Sequence, residues 1–284
     1  MPSEDIFERI SSSYYGLTAA EKKVADYVMI HQGKTQYFSI SELAEACGVA
    51  EATISRFVKR LSCKGYNAFR LAVANAAAAR GTGNPLSGEV LAGDSIPDMC
   101  QKVFSADLAA MEETLSLIRP EAIAAAGRLL DGADKVLCMG QGGSMVMAQE
   151  AAHLFSTAFS KYFAVTDSHM QAVAAAQLSP RDVVLYFSYS GSTRDLIQAA
   201  SLVHRRRAKL ILITRFPKSP GAALADVVLQ CGANETPIQQ GSVAARVAMI
   251  FVLDILFSEV CRKDIESCRA RRRLVSDALA EKHL

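Results

Sequence analysis

Two hydrophobic rhythms divide the chain. In the first, apolar residues recur every three or four positions, as one face of a helix requires. Residues 18–30 place Ala19, Val24, Tyr27 and Val28 at that spacing behind Thr18, with Glu21 completing an N-terminal capping box. Residues 39–46 read as a short helix capped by Ser39 or Ser41, and Cys47-Gly48-Val49 turns it sharply. A third helix runs from Glu51 to Leu61. Its Ile54, Phe57, Val58 and Leu61 pack inward, leaving Ala52, Thr53, Ser55, Arg56, Lys59 and Arg60 towards solvent or a ligand. Two short helices joined by a glycine turn, the second polar and basic, predict a helix-turn-helix.

From Asp134 the rhythm becomes strand then helix. Residues 136–139, 162–165, 183–187, 210–213 and 227–229 are short, apolar and rich in β-branched side chains, as parallel strands buried on both faces should be. Helices rich in Ala and Leu separate them, which predicts an α/β domain with a five-stranded parallel sheet flanked by helices. Between the two regions, Gly81-Thr82-Gly83-Asn84-Pro85 marks a boundary, and a helical connector runs from Ile96 to Leu117. Arg119-Pro120 separates it from a helix at 121–130. A long apolar helix at 242–261 carries more hydrophobic surface than one sheet face can cover, so core and a dimer interface should share it. Arg262, Lys263, Arg269, Arg271, Arg272 and Arg273 make a basic C-terminal helix, read as a solvated face. The expected organisation is a DNA-reading domain at 1–80, linker and connecting helices at 81–130, a sheet domain at 131–263 and the basic helix at 264–284.

Composition narrows the class. With 284 residues, 50% hydrophobic and 21% charged, the chain can bury a sizeable core and is not disordered. No uncharged run reaches the roughly 18 apolar residues of a membrane span, and Met1-Pro2-Ser3-Glu4-Asp5 is acidic where a secretory signal would be basic. The expected location is cytoplasmic. Seven cysteines without Cys-x-x-Cys, and histidines without ligand spacing, point to reduced and mostly buried thiols, with no metal and no cofactor.

The formal charge of +2 hides a segregation. No Asp or Glu occurs between Ala52 and Gly88, whereas Arg56, Lys59, Arg60, Lys64, Arg70 and Arg80 give that stretch +6. A basic face beside a helix-turn-helix suits DNA: Arg56 can donate two parallel hydrogen bonds to guanine, Thr53 and Ser55 add hydroxyls, and the remaining cations meet phosphates.

These residues carry a family resemblance. Residues 17–28 (LTAAEKKVADYV), 39–44 (SISELA), 52–57 (ATISRF) and 64–70 (KGYNAFR) resemble the RpiR-type bacterial transcriptional regulators over nearly the whole first domain. The resemblance implies a DNA face drawn from Ser41, Glu51, Ala52, Thr53, Ser55, Arg56, Lys59, Arg60, Lys64, Tyr66 and Arg70. Two departures stand out: Ala50 replaces a helix-capping serine, so the recognition helix should fray or shift at its start until DNA orders it, and Ser62 replaces a glycine.

In a parallel sheet, ligands bind beyond the carboxyl ends of the strands. Ser188-Tyr189-Ser190-Gly191-Ser192-Thr193 follows the third strand and leads into a helix, so hydroxyls and backbone N–H groups converge where a phosphate is favoured. An ordinary helix cap needs only one of those hydroxyls. Gly140-Gln141-Gly142-Gly143-Ser144 makes a similar turn after the first strand, without Walker or dinucleotide spacing. Together with Asp167-Ser168-His169, residues 178–183, Ser219-Pro220, Ala225-Asp226 and Glu235, these turns resemble the SIS, or sugar isomerase, domain of the same regulators over about 134–260. The resemblance implies a phosphosugar held by Gly142, Ser144, Ser168, Ser188, Ser190, Gly191, Ser192, Thr193 and Glu235. Arg215 stands where asparagine is frequent in the family.

A sugar isomerase would need a base, for which Glu235, His153 and His169 are the candidates; His153 reads as a packed or interfacial side chain and His169 as a fixture of the second strand's loop. Fusion to a DNA-reading module favours a non-catalytic sensor, a homodimer or homotetramer whose operator affinity a phosphosugar modulates. Aldose-ketose isomerisation with an accessory helical domain is the alternative.

Overall fold

The computed structural model describes residues 5–79, 90, 93–233, 243–280 and 282. They form two compact units whose division falls between Ala106 and Asp107.

The first unit is helical. α1 (Ile6–Ser13), α2 (Ala19–Ile30) and α4 (Ile40–Cys47) each start at a complete capping box, made by Asp5 with Glu8, Thr18 with Glu21 and Ser39 with Glu42. α3 (Gln32–Thr35) is a single turn, α5 (Glu51–Arg60) is the recognition helix, and α6 (Tyr66–Ala79) follows it. Each side chain in a box satisfies one of the amides that helix geometry leaves without an acceptor. α4 ends in a Schellman turn at Gly48, φ 63°, whose amide reaches Glu45 O while that of Val49 reaches Ala44 O. Phe7, Ile10, Val24, Val28, Leu43, Ile54, Phe57, Phe69 and Val73 form the core of this unit.

α7 (Ile96–Leu117) is followed by α8 (Pro120–Gly132), which carries its proline at the first helical position. The second unit is a three-layer α/β/α domain. Strands β1 (Val136–Gly140), β2 (Tyr162–Ala164), β3 (Val183–Phe187), β4 (Lys209–Thr214) and β5 (Val227–Gln230) are all parallel, in the order β2-β1-β3-β4-β5. Alternate strand residues serve opposite faces. Val136, Cys138, Leu185, Phe187, Ile211 and Ile213 pack with α8, α9 (Gly143–Ser156) and α12 (Val243–Arg262). Leu137, Met139, Val184, Tyr186, Leu210 and Leu212 pack with α10 (Ser168–Ala176) and α11 (Arg194–Arg205). The winding reverses between β1 and β3, so the turns leaving those two strands flank the crevice where such folds bind ligands.

The basic C-terminal helix is α13 (Ile265–Ala280). It is not wholly the solvated face its composition suggests: Arg271 lies over the Phe159 ring and Arg272 over Phe257, at 5.6 and 5.7 Å, and Cys268 is buried beside Cys261.

Candidate functional site

In the recognition helix α5, Ile54, Phe57 and Val58 are buried, and Ala52, Arg56, Lys59 and Arg60 are exposed. Thr53 corrects the sequence reading. It lies four residues before Phe57, on the same face, and is buried at 6% exposure, with Arg56 Nη2 donating to its hydroxyl at 3.4 Å. Ser55 is half-buried, and Ser41 donates to the exposed Glu51 carboxylate at 2.5 Å, linking α4 to the start of α5.

The basic residues divide by their partners. Arg60 Nη1 donates to Gly16 O at 2.8 Å and Nε pairs with Glu21 at 3.4 Å, while Arg70 Nε donates to Gln36 O at 2.8 Å. Tyr66 is half-buried, and its hydroxyl meets the carbonyls of Phe38 and Ser39 at 3.0 and 3.1 Å. Burial pushes the Tyr66 hydroxyl's pKa far up. Arg60, Arg70 and Tyr66 brace their own unit through these bonds. Arg56, Lys59 and Lys64 present exposed cations.

α5 begins in regular geometry despite the missing cap. Ala50 is extended, φ −75° and ψ 149°, and its carbonyl accepts from Thr53 N at 2.8 Å, so the expected frayed start is not seen. The end of α5 repeats the turn of α4: Ser62 N reaches Lys59 O and Cys63 N reaches Val58 O, with Ser62 at φ 58°.

In the sheet domain the turns after β1 and β3 stand side by side, because Gly140 and Phe187 are register partners. A β-carbon at Gly140 would fall 2.5 Å from Ser144 O and 3.1 Å from Phe187 O, so only glycine lets the turn close there. Gly142 takes φ 56°, and the half-buried Ser144 lies in the first turn of α9.

After β3, the Ser188 amide bonds to Ile213 O at 3.0 Å and its hydroxyl oxygen accepts from Gly191 N at 3.2 Å. Ser188 is 4% exposed and braces the loop from within. Gly191 has φ 60°, and a β-carbon would come within 2.0 Å of Ser219 Oγ. Ser190 Oγ accepts from Ser192 N at 3.3 Å, Ser192 Oγ donates to Ser190 O at 3.0 Å, and Thr193 Oγ1 accepts from Leu196 N at 3.4 Å to cap α11. A hydroxyl that accepts a backbone N–H keeps its own proton to donate. Ser190 and Thr193 can therefore turn O–H groups towards an anion at the N-terminus of α11.

Ser168 is exposed at the start of α10, whose cap is Asp167, accepting from Met170 N at 2.8 Å. His169 is exposed; the turn beside it is fixed by Gln171, 2% exposed, whose amide donates to Val165 O at 2.8 Å and Gly140 O at 3.0 Å. Sequence reasoning missed Gln171; a lone long amide on an alanine-rich helix was the available signal. His153 is exposed on α9. Glu235 lies outside the described residues. Among them, no helix is long and apolar enough to cross a membrane.

Comparison with known proteins agrees with this geometry. Residues 4–80 match the model of the helix-turn-helix domain of the rpiR family, and residues 129–259 match that of the SIS domain. An uncharacterized HTH-type transcriptional regulator of Caldanaerobacter subterraneus is 30% identical over 258 residues, 91% of this chain and 90% of that protein. The HTH-type transcriptional regulator RpiR of Escherichia coli K12 is 29% identical, over 88% and 84% of the two chains. Among solved structures, the Vibrio vulnificus NanR protein complexed with ManNAc-6P superposes with a TM-score of 0.87 at 23% identity, covering 98% of this chain and 99% of that one. The chain belongs to the RpiR family of helix-turn-helix transcriptional regulators, with a SIS domain following its DNA-binding domain.

Proposed function

We propose that this regulator's affinity for its operator is set by a phosphosugar held at the β1 and β3 strand ends of the SIS domain. The observation that carries the reading is the loop 188–193. Ser190 and Thr193 accept backbone N–H groups and so keep O–H donors for an anion, at the positive end of a 12-residue helix. The NanR protein of matching fold, complexed with ManNAc-6P, supports a phosphorylated sugar as the class of effector.

The protein senses and does not turn over its ligand. A regulator needs only differential binding of the effector to two arrangements of the chain, and chemistry adds nothing to that difference. It reads DNA as a homo-oligomer, because two copies of α5 match a palindromic operator. Leu108 and Leu115 on α7 and Val243 and Ile250 on α12 are exposed apolar side chains that a second copy would cover. On the DNA face, Arg56, Lys59 and Lys64 make the contacts with bases and phosphates.

A thermal-shift screen against hexose, pentose and amino-sugar phosphates, ManNAc-6P included, tests the reading. A ligand at 100 times its Kd adds about 2.7 kcal/mol of stability. The expected outcome is a hit that Ser190→Ala with Thr193→Ala removes while leaving DNA affinity intact, and that comes back unchanged from prolonged incubation. A double variant with undiminished affinity removes the loop from the site; isomerised product overturns the sensor reading.

A further inference from the structure

Two buried phenol hydroxyls of the sheet domain, those of Tyr162 on β2 and Tyr186 on β3, lack a hydrogen-bond partner among the described residues, and the second lies by the ligand crevice. Tyr186, on β3, is fully buried, and its hydroxyl meets no hydrogen-bond partner among the described residues. Such a group is costly in a folded interior, where nearly all buried polar atoms are paired. Its surroundings are specific. Tyr186 pairs in register with Met139, two residues before Gln141 in the turn after β1, and β3 ends one residue after it, at the loop that leads to Thr193, the cap of α11; burial, with the Asp195 charge, pushes the phenol's pKa up to about 12. Tyr186 thus stands on the strand end that leads into one turn of the crevice, beside the strand end that leads into the other.

The polarity of Gln141 follows by a chain of necessity. Gln171 donates from Nε2 to two carbonyls, Gly140 O and Val165 O. Only an amide nitrogen can do that, so Gln171 Oε1 is an acceptor. Gln141 must then approach it with its own nitrogen, and Gln141 Nε2 donates to Gln171 Oε1 at 3.0 Å. What Gln141 turns away from Gln171 is therefore its carbonyl oxygen, an acceptor. The phosphate loop beside it offers donors, and neighbouring strands lie only about 4.8 Å apart. An acceptor next to a cluster of anion-binding donors does nothing for phosphate. It suits a hydrogen-bond donor carried a short distance from the phosphate on the same molecule.

We propose that Gln141 and Tyr186 are the residues that select the sugar: Gln141 Oε1 accepts from a hydroxyl or acylamino N–H of the effector, and the Tyr186 hydroxyl gains its missing partner when that contact draws the two turns together. Gln171 is a positioning residue that fixes the direction of Gln141. The assignment rests on the phosphosugar reading above and specifies which part of the ligand the β1 turn reads.

The two residues make opposite demands on stability and affinity, which a purely structural role would not. Wild type, Gln141→Met, Tyr186→Phe and the Ser190→Ala, Thr193→Ala pair are titrated calorimetrically with inorganic phosphate, ribose 5-phosphate, glucose 6-phosphate and ManNAc-6P, alongside thermal melts. Wild type is expected to bind at least one sugar phosphate more tightly than inorganic phosphate. Tyr186→Phe should melt at or above the wild-type temperature, having lost an unsatisfied buried group, yet bind that sugar phosphate at least fivefold more weakly. Gln141→Met should cut the preference for sugar phosphate over phosphate at least fivefold. In both, the affinity for inorganic phosphate should change less than twofold. Retention of the full preference by both variants overturns the assignment, as does equal wild-type affinity for all four probes, although phosphate binding then keeps the loop in place. Undiminished phosphate affinity in the serine–threonine variant removes the loop instead, whatever Gln141 does.

Discussion

Ser62 occupies a left-handed turn that has a twin 14 residues earlier, and the twin is a glycine. Gly48 and Ser62 close α4 and α5 with the same pair of hydrogen bonds at φ 63° and φ 58°. A β-carbon in that region costs roughly 1 kcal/mol or more relative to glycine, and Ser62 is exposed, so nothing is packed against its side chain that glycine would forfeit. Ser62→Gly should raise stability by about 1 kcal/mol. Ala50→Ser should add a similar amount, because the backbone already holds the extended conformation of a cap. Denaturant melts of the single and double variants check both, and a loss of stability in Ser62→Gly would mean that the serine hydroxyl holds a contact. Glu21 makes a pH prediction at the same scale. Burial raises its pKa, but hydrogen bonds from Thr18 and the charges of Arg60 and Arg56 outweigh that and hold its carboxyl below the usual value. A depressed folded pKa contributes stability that is fully present above the unfolded value, near 4.5, and is lost as pH falls through the folded one. Glu21→Gln should cost about 1 kcal/mol at pH 7 and flatten the acid limb of a stability-against-pH curve. An acid limb identical to wild type would assign the sensitivity elsewhere.

At the scale of elements, the recognition helix sorts its cations into two jobs that binding and stability measurements separate. Lys64 is exposed, so Lys64→Ala should weaken DNA binding uniformly across sequences and reduce the salt slope by about one. Arg56→Ala should cost roughly 1 to 3 kcal/mol and relax preference at one base position. Arg60→Ala removes the bonds to Gly16 and Glu21 and should lower stability by about 1 kcal/mol, with little change in the salt slope. A salt slope that drops by one in Arg60→Ala would return it to the phosphate backbone. This division also marks how far the sequence was legible. The buried positions Ile54, Phe57 and Val58 of α5, the capping box at Thr18, Ser39 as one of two candidate caps, the five strands and the glycines of the turns after β1 and β3 all rest on local spacing, and they stand in the structure where spacing put them. The bracing bonds of Arg60, Arg70 and Tyr66 were not legible because their partners are carbonyls 27 to 44 residues away in the chain. Thr53 was misread for a simpler reason: its polarity was weighed above its position on the same inward face as Phe57. α1 and α6 went unread, though Asp5 with Glu8 is a capping box as plain as the one recognised at Thr18. The roles of Gln141 and Gln171 were not read, since they show only in the bonds that Gln171 makes to Gly140 O, Val165 O and the Gln141 amide.

For the whole molecule, the proposed control has a thermodynamic signature that does not depend on the direction of the response. If a phosphosugar changes operator affinity by some factor, operator DNA must change phosphosugar affinity by the same factor, because both bindings draw on one equilibrium between two arrangements. Coupling of 1 to 3 kcal/mol, the usual range, corresponds to roughly 5- to 150-fold. The measurement is a closed cycle: the sugar phosphate is titrated into free protein and into protein saturated with an operator fragment selected from random DNA, and the operator is titrated with and without the sugar phosphate. The two ratios should agree within error and lie in that range. Ratios that both equal one would leave an effector site that binds without regulating. Variants extend the test: Tyr186→Phe, with its sugar contact weakened, should shrink the coupling if that contact distinguishes the two arrangements, whereas Lys64→Ala should weaken the DNA legs of the cycle equally and leave the ratio unchanged. Coupling that survives the loss of the Tyr186 hydroxyl would place the discriminating contact elsewhere on the ligand, in the phosphate loop itself.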